Sequence, residues 1–304
     1  MPPSLSDPRA LRELLQRHGL HLSKGLGQNF LINPSVCPRM ARACGAEPHN
    51  AQACGAEDCA GVLEVGPGVG VLTRELSAVA KKVVSVELDR RLLPVLEETL
   101  SDCHNVEIVH GDILKLDLSR LIDEKLGGGP ICVCANLPYY ITSPVIMALL
   151  EGGLPIKTVT VMVQKEAAQR LCAPPGVREC GAVSVSVHYR SRPQVLFNVG
   201  RGSFMPPPNV DSAVIRFDML KEPPVRVRDE TILFKVARGA FAQRRKTAAN
   251  SLSGALRLPK GLIEQRLLEA GLPANVRAEQ LTLPQFGALA DALSDDIYGG
   301  EMDE

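Results

Sequence analysis

GVLEVGPGVGVLTRELSAVAKKVVSVEL, residues 61–88, contains a short apolar run, three alternating glycines, a stretch with helical spacing and a second Val-rich run that ends at an acid. It reads as one βαβ unit, with a strand over GVLEVG, a helix from about Val71 to Val79 and a strand over KVVSVEL. The same order continues outward: a helix from about Arg90 to Leu100, a third strand at VEIVHGD (106–112), a fourth at ICVCAN (131–136) and a fifth at TVTVMVQ (158–164). Strands and helices alternating at this spacing predict an α/β fold built on a parallel sheet. In such sheets ligands bind beyond the carboxyl ends of the strands, so each strand end carries a chemical question.

Around this centre lie other elements. Leu11, Leu14 and Leu15 fall at helical spacing within residues 8–18. VSVSVHYRSRPQVLFNV (183–199) and SAVIRFDML (212–220) alternate polar and apolar residues and are expected as late, partly antiparallel strands. KEPPVRV (221–227) reads as a linker, and residues 229–293 as a small helical region.

A chain of 304 residues with 45 % hydrophobic and 22 % charged residues is ordinary for a globular protein and excludes disordered and fibrous classes. No apolar run approaches the roughly 20 residues a membrane helix needs, and the N-terminal stretch lacks a signal-peptide core, so a cytoplasmic protein is expected. The nine cysteines are odd in number and scattered, which argues against a disulfide framework. Cys54 and Cys59 have no partners at finger-like spacing and no metal is expected, while Cys132 and Cys134 belong on one buried face of the fourth strand. Zero net charge hides an asymmetry: residues 152–260 hold 18 Lys and Arg against 7 Asp and Glu, a surplus of 11, and the remainder carries the opposite excess, 16 against 27. A surplus of that size points to a polyanionic partner.

Read in order, the strand ends assemble a site. Gly66, Gly68 and Gly70 let the backbone turn tightly and approach a ligand. Glu87, 21 residues after Gly66, suits the two hydroxyls of a ribose, which fits NAD and S-adenosylmethionine equally well. Asp112 suits an exocyclic adenine amine with Ile113 packing on the ring, the alternative being a simple turn cap. The fourth end separates the cofactors. A dehydrogenase needs a proton-transfer group there, whereas Asn136, Leu137, Pro138 and Tyr139 stand in its place. The Asn136 side-chain oxygen and the Pro138 carbonyl are expected to accept the two hydrogens of a nucleobase amine, with Tyr139 stacked on the base. Tyr140 is expected to be structural, since consecutive residues point in different directions. Phe204 of FMPPP is the candidate for the base's other face, or else a core residue before a polyproline turn.

NLPY resembles the motif of amine-directed N-methyltransferases. Together, GLGQNFL, LEVGPGVGVLT, VELD, GDIL, NLPYYITSP, VQKEAAQRL, FMPPPNVDSAV and FAQRRKTAANSL resemble the small-subunit ribosomal RNA dimethyladenosine transferase family from about Gly25 to Leu293. The resemblance implies a class I (Rossmann-like) S-adenosylmethionine-dependent methyltransferase fold with a small C-terminal helical domain. The expected methyltransferase domain covers residues 1–222, with segment 1–33 closing over the cofactor, and residues 223–304 form the helical RNA- or ribosome-binding domain. It also implies that Gln28, Asn29, Leu31, Gly66, Gly68, Glu87, Leu88, Asp112, Ile113 and Asn136 hold or border S-adenosylmethionine. The implied reaction is N6,N6-dimethylation of two adjacent adenosines in the 3′-terminal hairpin loop of 16S ribosomal RNA. The implied setting is a monomer acting on a small-subunit (30S) assembly intermediate. Arg238, Arg244, Arg245 and Lys246, read as projecting from one helix, are the candidates for phosphate contact. The alternatives are an Erm-type methyltransferase of large-subunit RNA and an assembly factor whose binding matters more than its catalysis. The longer stretch around residues 44–60 departs from the family pattern and is expected to be a surface elaboration.

Overall fold

A computed structural model of the protein describes residues 5–20, 29–45 and 59–301. In chain order the first elements are α1 (Pro8–Arg17), β1 (Phe30–Leu31), α2 (Val36–Ala43), β2 (Gly61–Val65), α3 (Val71–Val79) and β3 (Val83–Glu87). There follow α4 (Leu93–Thr99), β4 (Val106–His110), α5 (Leu118–Leu126), β5 (Ile131–Asn136), α6 (Thr142–Glu151), β6 (Ile156–Gln164) and α7 (Lys165–Cys172). The chain then forms α8 (Ala182–Arg190), β7 (Ser191–Val199), β8 (Phe204–Met205) and β9 (Ser212–Met219). It closes with α9 (Glu230–Phe241), α10 (Ala248–Leu256), α11 (Lys260–Glu269) and α12 (Leu283–Glu301). The chain divides into two compact units, Met1–Ala168 with Gln194–Met219, and Gln169–Pro193 with Leu220–Glu304.

The first unit is a mixed α/β layer structure around a seven-stranded sheet of order β4-β3-β2-β5-β6-β9-β7. The pairs from β4 to β6 are parallel, and β9 joins β6 antiparallel. β2, β3 and nearly all of β5 are buried along their whole length, which is why these strands are mainly apolar and small residues, with Glu64 of β2 a buried exception. Strand order reverses between β2 and β5, and this switch point is where a crevice opens in a doubly wound sheet. α1 starts at Pro8 behind the Asp7 cap and buries Leu11, Leu14 and Leu15 against Val69, Leu92 and Val95, roughly 1.5–3 kcal/mol for each leucine. That packing holds the N-terminal helix against the turn after β2.

Two sequence expectations change. The helix expected over Arg90–Leu100 is a 3₁₀ turn, Arg90–Leu92, followed by α4, because Pro94 fits only the first turn of an α-helix. The alternating stretch 183–190 is not a strand but α8. Ser184 and Ser186 are buried like Val185 and Val187 beside them. Ser184 Oγ donates to the Arg170 carbonyl (2.6 Å) and accepts the Gly181 N–H (3.0 Å). When polar and apolar residues are both interior, period-two alternation carries no information about which face is wet.

In the second unit, Val185 and Tyr189 of α8 enter a core with Leu233, Val236, Leu252, Leu267 and Phe286 of the later helices. Residues 169–193 therefore group with the C-terminal helices, although the segment lies between two stretches of the first unit in the chain. The Arg190 guanidinium pairs with Glu230, which also accepts the Tyr189 hydroxyl (3.0 Å).

Candidate active site at the strand ends

β2 leaves the sheet through Gly66 and Gly68, whose φ angles of +69° and +62° lie in the region that side-chain-bearing residues avoid. The turn opens an open cleft of about 800 Å³, lined by Asn29, Phe30 and Leu31, by Gly66–Val69, by Glu87, by Asn136–Tyr139 and by Phe204, among others. β1 reaches this wall because Phe30 and Leu31 pair antiparallel with Met205 and Phe204 of β8. Residues more than 170 positions apart in the chain thus share one wall.

Glu87 is 6 % exposed at the end of β3. Its Oε1 accepts the Asp89 N–H (2.8 Å) and its Oε2 the Gly68 N–H (3.3 Å), leaving each oxygen a further lone pair. Burial pushes its carboxyl above the ordinary value, and hydrogen bonding from the Asp89, Gly68 and Leu88 amides opposes this. A fixed carboxylate beside a glycine turn at an open cleft suits the ribose end of S-adenosylmethionine.

At the other side, the Leu137 N–H bonds the Met162 carbonyl (3.2 Å), so the β5 ladder runs one residue beyond Asn136 while the Leu137 side chain is buried. The Tyr139 hydroxyl bonds the Oγ of buried Ser212 (2.7 Å), which fixes the ring in the wall. The Pro138 carbonyl, expected as an acceptor for substrate, already receives the Ile141 N–H (3.2 Å) and the Thr142 hydroxyl (3.4 Å). Both of its lone pairs are engaged, and among the described residues nothing bonds the neighbouring Leu137 carbonyl.

Of the residues singled out from sequence, the cleft gathers Asn29, Leu31, Gly66, Gly68, Glu87, Asn136, Leu137, Pro138, Tyr139 and Phe204. Phe204 lines the cleft and is at the same time buried against Leu31 and Val36, the core alternative weighed for it. Gln28 lies outside the described residues. Leu88, Asp112 and Ile113 stand beyond the cleft's lining. Leu88 is exposed and Ile113 buried. Asp112 Oδ1 accepts the Leu114 N–H (3.0 Å), the turn cap weighed as its alternative role. Phe30, Cys37 and Leu92 were missed, because nothing local distinguishes a cleft-facing apolar residue from a core one. Ser212 was legible only as part of the PNVDSAV block.

Arg244, Arg245 and Lys246 do not project from a helix. α9 ends at Phe241, and the three exposed cations occupy the turn before α10, held by Lys246 N–H to Gln243 O (2.9 Å) and Gln243 N–H to Ser251 Oγ (3.0 Å). Arg238 is exposed in the last turn of α9. Cys54 lies outside the described residues, as does most of the 44–60 stretch expected as a surface elaboration; of its described ends, Cys44 is fully buried and partly buried Cys59 has its Sγ 3.4 Å from Cys132 Sγ.

Behind the glycine turn, Glu64 is 1 % exposed on β2. Ser85 Oγ of the paired strand donates to its Oε2 (2.6 Å), and burial pushes the carboxyl up from 4.5 to about 7. The folded protein keeps this proton between pH 4.5 and 7, where the unfolded chain has lost it, so stability falls as pH rises through that window. The full fall is roughly 3 kcal/mol. Glu64→Gln, neutral at every pH, is expected to flatten this part of the profile in urea unfolding at pH 5 and 7.5, and a slope equal to the parent's would exclude Glu64 as its source.

A family model described as ribosomal RNA adenine dimethylase matches residues 19–293. Over 96 % of its length the chain is 45 % identical to Ribosomal RNA small subunit methyltransferase A of Lachnoclostridium phytofermentans, of which it covers 99 %. Among solved structures, the 23S rRNA methyltransferase ErmE matches at TM-score 0.62 and 28 % identity, covering 88 % of this chain and 100 % of that one. A dimethyladenosine transferase from Plasmodium falciparum matches at TM-score 0.63 and 23 % identity, over 88 % and 98 % of the two chains, which bears on the fold. The chain belongs to the ribosomal RNA adenine dimethylase family and is an enzyme whose methyl donor is S-adenosylmethionine.

Proposed function

We propose that this enzyme dimethylates the N6 amines of two adjacent adenosines in the 3′-terminal hairpin loop of 16S ribosomal RNA, as a cytoplasmic monomer acting on an assembly intermediate of the small subunit. Dimethylation of 16S ribosomal RNA is the general reaction of the family. The observation that carries the reading is the pairing, in one cleft, of Glu87 with the Asn136–Tyr139 strand end. Among the described residues no helix is long and apolar enough to cross a membrane.

S-adenosylmethionine supplies an electrophilic methyl group. Glu87 accepts from the ribose hydroxyls, and the backbone at Gly66 and Gly68 lets the ligand approach closely. The target base leaves its stack, at a cost that is least in a loop, and rests against the tethered Tyr139 ring with Phe204 opposite. Its amine lone pair is delocalised into the ring, so attack requires the nitrogen to pyramidalise. Asn136 Oδ1 and the Leu137 carbonyl, in place of the engaged Pro138 carbonyl, each accept one N–H and favour that geometry. Among the described residues the lining offers no free base: burial pushes the Cys37 thiol and the Tyr139 hydroxyl upward, and Glu87 is assigned to the ribose. The proton therefore leaves the cationic nitrogen for water after attack.

Incubating undermethylated small subunits together with large subunits and labelled S-adenosylmethionine should yield N6,N6-dimethyladenosine in 16S RNA. Label confined to large-subunit RNA would replace this reading with the Erm-type one. The basic turn after α9 is assigned to RNA phosphates. Neutralising Arg244, Arg245 and Lys246 together should weaken RNA binding and make the log–log salt slope shallower by roughly 2, with cofactor affinity unchanged. An unaltered slope would return the turn to an ordinary solvated surface.

A further inference from the structure

Tyr139 and Tyr140 follow one another, yet the fold separates their roles. Tyr139 lines the cleft and is tied to buried Ser212. Tyr140, expected to be structural, is 61 % exposed, and among the described residues nothing bonds its hydroxyl. Both sit in the 3₁₀ turn Tyr139–Ile141, where successive residues step by about 120° around the axis. Tyr139 lines the cleft, and Tyr140, its immediate neighbour in the same turn, is turned away from it into water. The turn is also rigid: it opens at Pro138, is closed by the Ile141 N–H on the Pro138 carbonyl, and runs directly into α6. A large aromatic ring held in water by stiff backbone, beside a pocket for a flat base, is placed to meet a second flat group.

We propose that Tyr140 is an RNA-positioning residue that stacks on the nucleotide next to the target adenosine. The inference rests on the reading of the cleft as an adenosine site. Drawing one base into the cleft strips its neighbour of a stacking partner, and an exposed ring next to Tyr139 replaces that partner without reading sequence, because every base has a π face. The stack forms only with RNA present, so it contributes to capture of the particle and not to cofactor binding. Since the target has an adenosine beside it, the same ring would hold one while the other reacts.

The test compares the parent enzyme with Tyr140→Ala, Tyr140→Phe and Tyr140→Trp in methyl transfer to undermethylated small subunits, with S-adenosylmethionine affinity and thermal unfolding measured alongside. Tyr140→Ala is expected to raise KM for the particle at least about 5-fold with kcat little changed, while Phe and Trp stay within about 2-fold of the parent. Cofactor affinity and Tm should not move in any variant. A Tyr140→Ala enzyme with the parent's KM would overturn the proposal and leave the adenosine reading intact. So would Tyr140→Phe falling as far as Ala, which would assign the effect to the hydroxyl, or a Tyr140→Ala enzyme that melts early or loses cofactor affinity, which would make the ring structural. A parent enzyme that transfers no methyl to small subunits would overturn the underlying reading and this inference with it.

Discussion

Asn136→Ala is expected to lower single-turnover methyl transfer to small subunits by about 10²–10³-fold, the scale of losing one acceptor or donor aimed at transition-state charge. In the proposed mechanism the bond from the adenine amine to Asn136 Oδ1 strengthens as the nitrogen pyramidalises and becomes positive, so the loss falls on the chemical step more than on binding. Folding should be nearly untouched. Asn136 is only half-buried, and the β5–β6 ladder passes beyond it through the Leu137 N–H. If Asn136 merely ended a strand, the variant would melt earlier, by about 1 kcal/mol or more, with the rate per folded molecule preserved. Thermal unfolding beside single-turnover kinetics separates the two, and an early-melting variant of normal rate would remove Asn136 from the chemistry. Tyr139→Ala is a less clean probe of the same edge, because it also strands the buried Ser212 hydroxyl, itself worth about 1–3 kcal/mol.

Glu87→Ala is expected to weaken S-adenosylmethionine binding by roughly 10- to 150-fold, equivalent to about 1.5–3 kcal/mol for lost hydrogen bonds to a charged acceptor. The carboxylate already holds the Gly68 and Asp89 amides, so the variant also loosens the glycine turn on which the ligand rests. Calorimetry should show the loss entirely in cofactor affinity, with RNA binding at the basic turn unchanged. Protonating Glu87 removes part of its accepting capacity, and its pKa is raised by burial, so parent affinity should decline as pH falls toward that value. Unchanged affinity in Glu87→Ala would place the ribose elsewhere.

Sequence by itself determined the order of the βαβ units, the helix at Val71–Val79, the end of β5 at Asn136 and the glycine–acid–amide series along the strand ends. These are local demands. A strand buried on both faces is mostly apolar, a backbone at positive φ calls for glycine, and a polar residue that closes such a run stands where the chain leaves the interior. Only the tertiary structure decided that residues 182–190 coil into α8, that Ser212 holds Tyr139 while Tyr140 faces water, and that the Pro138 carbonyl is engaged while that of Leu137 is not. It alone brought Phe30 and Phe204 into one wall, left Asp112 and Ile113 beyond the cleft, and set Cys59 against Cys132. Each of these depends on a partner far away in the chain or on which lone pair is already taken. Periodicity and composition report how a residue relates to its neighbours along the backbone, whereas a hydrogen bond or a packed ring is settled by what the fold places across from it.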